Sequence, residues 1–168
     1  MAFGDVRRLF LMRHAEPAPF APGGDIERPL TSHGLDQARQ VGQHLAGRGI
    51  ERVLASPATR ARQTVEGLAL PALITVVDSL YDGAPGRLHT QLTRLPEYLT
   101  TVLLVGHYPG IPGLVSDLAD SQSDRLVRSI ELQFSPATLV ELEFSGPWTT
   151  LHAARVVSVF RPDRPPYA

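Results

Sequence analysis

The sequence predicts an α/β fold: a three-layer α/β/α sandwich on a mostly parallel central sheet with an antiparallel edge strand. Two observations carry this. Short strand-like segments at 9–12, 50–55, 73–77 and 102–105 are separated by stretches of helical period, the pattern of parallel strands joined by crossover helices. Toward the C-terminus, alternating segments flank Ser145-Gly146, as in a hairpin.

The first strand is the apolar run Leu9-Phe10-Leu11-Met12, which ends at Arg13-His14 and gives way to a loop rich in Pro and Gly. Thr31 to Ala46 carries Leu35, Ala38, Val41 and Leu45 at helical spacing, opened by Thr31 or Ser32 as N-cap and closed by Gly47 and Gly49. After the strand Ile50 to Ala55, Ser56 reads as an N-cap and Pro57 as the first residue of a helix running to Ala69. Leu73 to Val77 is a third strand, followed by the turn-rich Tyr81-Asp82-Gly83-Ala84-Pro85-Gly86 and a helix over Arg87 to Thr93. Val102 to Val105 is apolar throughout and therefore central in the sheet; Gly106-His107 ends it. Gly110 to Leu118 is helical, with Pro112 restricting where that helix begins. Thr138 to Phe144 and Thr149 to Phe160 form the hairpin at an edge.

The 168 residues suit one domain, 1–160, with a frayed proline-rich tail over 161–168. The chain has no cysteine, which excludes disulfides, thiolate metal sites and a cysteine nucleophile. All 16 basic residues are arginine, so a Walker lysine, a Schiff-base lysine and a lysine base are excluded too. A net charge of −1 leaves no electrostatic footprint for nucleic acid or an anionic membrane. With no long apolar span and no secretory leader pattern, the expectation is a soluble, cytoplasmic protein.

Chemistry concentrates where strands end. Arg13-His14 sits at the end of the first strand, and His107 repeats that context at the end of the fourth, so parallel pairing would bring both imidazoles to one crevice. Arg60 falls in the first turn of the helix after the second strand, where amides already favour an anion and a guanidinium adds paired hydrogen bonds to phosphate oxygens. Arg62 lies on another helical face and reads as a solvated charge. Arg28 precedes the first long helix and is placed to close over the crevice from the loop 16–29. No third ligand stands at a metal-binding distance in sequence from His14 and His107, so neither a metal nor a cofactor is expected.

Four ordered motifs, Leu11-Met12-Arg13-His14-Ala15-Glu16, Arg28-Pro29-Leu30-Thr31 with Gly34 and Gln37, Ser56-Pro57 with Arg60, Gln63 and Thr64, and Gly106-His107 with Pro109, resemble the histidine phosphatase superfamily, the phosphoglycerate-mutase-like group. The short length looks most like its small bacterial phosphohistidine phosphatase branch, and Ala15 stands where the family has glycine. The resemblance implies that His14 is the nucleophile, that Arg13, Arg28, Arg60 and His107 hold the phosphate, and that no metal takes part. It places Asp82 where mutase-like relatives carry a glutamate acid; Glu16 is the other candidate donor. The implied substrate is protein phosphohistidine, for example on a histidine phosphotransfer domain. A small phosphorylated metabolite and a non-catalytic phosphoprotein-binding role are the alternatives.

Overall fold

The computed structural model describes residues 5–163. Six strands form one sheet in the order β3-β2-β4-β1-β5-β6. β1 (Val6–Arg13), β2 (Arg52–Ala55), β3 (Leu73–Val76) and β4 (Thr101–Gly106) run parallel, and β5 (Leu139–Ser145) and β6 (Arg155–Phe160) add an antiparallel margin. Alternation along the central strands divides the core. Leu9 and Leu11 of β1 and Val102 and Leu104 of β4 face one layer, while Phe10, Met12, Leu103 and Val105 face the other. Burial on both faces explains why residues 102–105 of β4 form an unbroken apolar run.

α1 (Ser32–Leu45) and α2 (Thr59–Leu68) cover the Phe10 side through Ala38, Val41, Leu45, Ala61, Val65 and Leu68. α3 (Pro85–Thr93), α4 (Gly110–Leu118) and α5 (Asp124–Leu132) cover the other side with Leu88, Leu92, Ile111, Leu114 and Ile130. The layers are those of the expected sandwich.

Several local expectations need correction. Leu35 is exposed; Gly34 and Gln37 take its place on the buried stripe of α1, whose N-cap is Thr31, accepting from the Gly34 amide at 2.9 Å. α2 starts at Thr59 and not at Pro57, because the Ser56 hydroxyl is held by His107 at 2.7 Å and accepts from the Ala58 amide at 3.2 Å. α3 begins earlier, at Pro85, which occupies the first turn, where its missing amide proton costs nothing. Pro112 likewise falls in the first turn of α4 and leaves its start at Gly110. The return strand begins at Arg155 and not at Thr149, since Trp148–Thr150 folds as a 3₁₀ turn that buries Trp148 completely. Arg161 donates to the Ser129 and Gln133 carbonyls, and Asp163 pairs with His33 at 3.0 Å; residues 164–168 of the proline-rich tail lie outside the described residues.

Candidate active site

β1 and β4 are hydrogen-bonded neighbours in register, Arg13 opposite Gly106, so the residues that follow each strand emerge side by side. The rings of His14 and His107 lie 5.1 Å apart between centroids. The predicted convergence is thus a direct result of parallel pairing.

His14 is buried, and its Nδ1 lies 2.7 Å from the Ala15 carbonyl oxygen. A carbonyl can only accept, so Nδ1 carries the proton and Nε2 keeps its lone pair. That lone pair accepts from Arg60 Nε at 3.3 Å. Burial pushes the imidazole down to about 3, with His107, Arg60 and Arg13 adding to the fall and the Ala15 bond opposing it. His107 is held down at about 4, chiefly by burial and then by Arg60, with Asp25 pulling the other way. Both rings are therefore neutral at pH 7.

Arg60 is buried in the first turn of α2. Besides His14, it donates to the backbone oxygen of Asp25 at 2.8 Å and to its carboxylate at 3.1 Å. Arg13 donates to the Phe134 carbonyl at 2.7 Å and lies over the Tyr108 ring at 5.2 Å; burial lowers its pKa. Arg13 Nε and His107 Nδ1 are buried polar atoms without a hydrogen-bond partner among the described residues. Arg28 donates to the Asp25 carboxylate and to the Ala18 carbonyl, each at 3.0 Å.

The two candidate acids sit differently. Asp82 lines a cleft of about 280 Å³ with His107 and Tyr81, but its side chain is 81% exposed and pairs with Arg87 at 3.2 Å. Glu16 accepts from the Thr31 hydroxyl at 2.9 Å, at the start of α1.

Residues present in the motifs but given no role by sequence reasoning turn out to fix the His14 loop. The Thr64 hydroxyl accepts from the Ala15 amide at 3.0 Å, Gln37 from the Glu16 amide at 2.9 Å, and Gln63 from the Leu30 amide at 2.7 Å. Gly34 lets α1 approach that loop, since a Cβ there would stand 2.2 Å from the Glu16 carbonyl oxygen. Asp25 was missed altogether. It lies in a 3₁₀ turn, Asp25–Glu27, whose contact with Arg60 spans 35 positions and leaves no local signal.

Neutral imidazoles and guanidinium groups gathered at the carboxyl ends of adjacent parallel strands define an α/β enzyme built to receive a phosphate-like anion. Residues 9–94 match the family model of the histidine phosphatase superfamily (branch 1), and the chain belongs to that superfamily and is a phosphatase. It is 36% identical to the phosphohistidine phosphatase SixA of Escherichia coli over 124 residues, 69% of this chain and 76% of that one. A structure assigned as SixA from Nakamurella multipartitia superimposes with a TM-score of 0.83 at 32% identity, covering 95% of this chain and 98% of the other. SixA complexed with tungstate superimposes with a TM-score of 0.77 at 28% identity, covering 92% and 97%. Among the described residues no helix is long and apolar enough to cross a membrane.

Proposed function

We propose that this enzyme removes phosphate from protein phosphohistidine through a transient phosphohistidine on His14, without a metal ion. One observation carries the reading: burial keeps His14 neutral, while the Ala15 carbonyl holds its proton on Nδ1 and so leaves the lone pair on Nε2, where the Arg60 guanidinium meets it. In the first step Nε2 bonds to phosphorus while the bond from phosphorus to the substrate imidazole nitrogen breaks, the electron pair leaving with that nitrogen as the substrate ring, protonated on its other nitrogen, departs as neutral imidazole. In the second, water attacks phosphorus, the bond to His14 breaks, and inorganic phosphate departs while the water proton passes to solvent.

Arg13, Arg28 and Arg60 neutralise the phosphoryl oxygens, which supplies the electrostatic stabilisation that a metal provides elsewhere. His107 completes the pocket with a ring-nitrogen hydrogen bond. A protonated imidazole leaves readily, so this substrate places little demand on an enzyme acid. Asp82 serves alkyl leaving groups, and Asp82→Asn is expected to slow hydrolysis of an alkyl phosphate while sparing phosphohistidine. Large equal losses on both substrates would contradict that role.

The test offers a phosphorylated histidine phosphotransfer domain, a sugar phosphate and p-nitrophenyl phosphate to wild type and His14→Ala in chelator. Rapid loss of phosphohistidine with wild type alone is expected. Turnover restricted to the small esters would reassign the substrate, a chelator-sensitive rate would overturn the metal-free mechanism, and binding without turnover would make the protein a phosphoprotein binder.

A further inference from the structure

Asp25 is an anion held among the cations assigned to phosphate. Its carboxylate accepts from Tyr81 Oη at 2.6 Å, from Arg28 Nε at 3.0 Å and from Arg60 at 3.1 Å. Those bonds, with Tyr81 the largest influence, hold it down at about 2, so it stays charged throughout the neutral range. Its side chain is 53% exposed, against 7% for the Arg60 side chain it touches, so it lies between the pocket floor and solvent. Tyr81 joins it to the second histidine, its ring edge-on to His107 at 5.8 Å.

The charges around the two neutral imidazoles can be counted from the groups that act on His14 and His107. These are Arg13, Arg28 and Arg60, each positive, and Asp25, negative; Asp82, at the cleft beside His107, pairs with Arg87 and the two cancel. Three minus one leaves two positive charges, the complement of a single phosphoryl dianion. A further negative charge on the substrate would face Asp25 with no cation left to balance it, whereas a positive one would meet a carboxylate at the mouth.

We infer that Asp25 is a specificity-determining residue that admits phosphoryl groups on neutral or cationic leaving groups and disfavours those bearing a carboxylate or a second phosphate. The inference rests on the proposed phosphate site and gives a physical reason for that site to take an imidazole-borne phosphoryl group. Arg60 engages Asp25 through both backbone and side chain, so removing the charge at Asp25 leaves the carbonyl contact able to steady the guanidinium.

The experiment measures binding of three phosphonates to the full-length protein by calorimetry, at a mildly alkaline pH where each phosphonate group is dianionic. Ethylphosphonate carries no further charge, 2-aminoethylphosphonate adds an ammonium and phosphonoacetate adds a carboxylate. Wild type is expected to bind the ammonium form tightest and the carboxylate form weakest, and Asp25→Asn to improve phosphonoacetate relative to 2-aminoethylphosphonate by roughly tenfold or more. A common factor for all three ligands would overturn the inference: uniform weakening would mean that Asp25 only orients Arg60, and uniform tightening that it only competes for it. Binding of none of them would remove the phosphate site itself. Because no turnover is needed, a charge-dependent result stands even if phosphohistidine proves not to be hydrolysed, and hydrolysis with a uniform factor would leave the proposed function intact.

Discussion

Replacing His14 with asparagine should remove a distinct part of the protein's sensitivity to mild acid, the part that buried His107 does not share. An imidazole in the unfolded chain titrates near 6.5, while burial holds native His14 at about 3. Between those values the unfolded state binds a proton that the native state refuses, so stability rises with pH across this window and falls as pH drops through it. At pH 5 the unfolded imidazole is protonated in a ratio of about 30 to 1 and the native one hardly at all. The difference, about 1.5 logarithmic units, amounts to about 2 kcal/mol lost between pH 8 and pH 5. At that pH the cost is set by the unfolded value, so a native value one unit higher would barely change it. Asparagine can still donate to the Ala15 carbonyl but does not titrate, and the contribution of His107 is common to both proteins. Urea unfolding at the two pH values, with wild type and His14→Asn compared, measures the difference directly. Equal losses of stability in both would refute the burial argument.

Arg60→Lys should lower kcat/KM by about a hundredfold with little change in fold, because a single ammonium cannot reproduce the fork that meets His14 and Asp25 together; steady-state kinetics with p-nitrophenyl phosphate checks this. Thr64→Val should destabilise the protein by about 1–3 kcal/mol in urea titration, since it strands the buried Ala15 amide, and kcat should fall with it because that amide fixes the nucleophile loop. Gly34→Ala should push the Glu16 backbone away from α1 and cost about 1–3 kcal/mol, read as a lowered Tm.

The layers were legible because burial on both faces forces unbroken apolar runs, as over residues 102–105, and because Gly106 ends β4 while a loop rich in proline and glycine follows β1. The pairing of His14 with His107 followed from that, since two similar strand ends suggested one edge, and the register of β1 with β4 makes them neighbours. Ser56 was misread because Ser-Pro is a good helix-opening signal on its own, whereas here its hydroxyl is committed to His107. α5 escaped notice because its only fully buried residue is Ile130, although Leu126, Val127 and Ile130 stand at helical spacing. Asp25 and Tyr81 were illegible for a different reason. They are 56 positions apart, and only the folded loop places carboxylate and phenol within a hydrogen bond of each other.

The central claim is that His14 carries the phosphoryl group during turnover. Rapid mixing with a phosphorylated histidine phosphotransfer domain, followed by an alkaline quench that preserves phosphohistidine and by peptide mass spectrometry, tests it directly. A phosphoryl adduct on His14 that forms and decays at rates compatible with turnover, absent from His14→Asn, is expected. Full turnover with no adduct on His14, or an unchanged rate in the variant, would contradict the account.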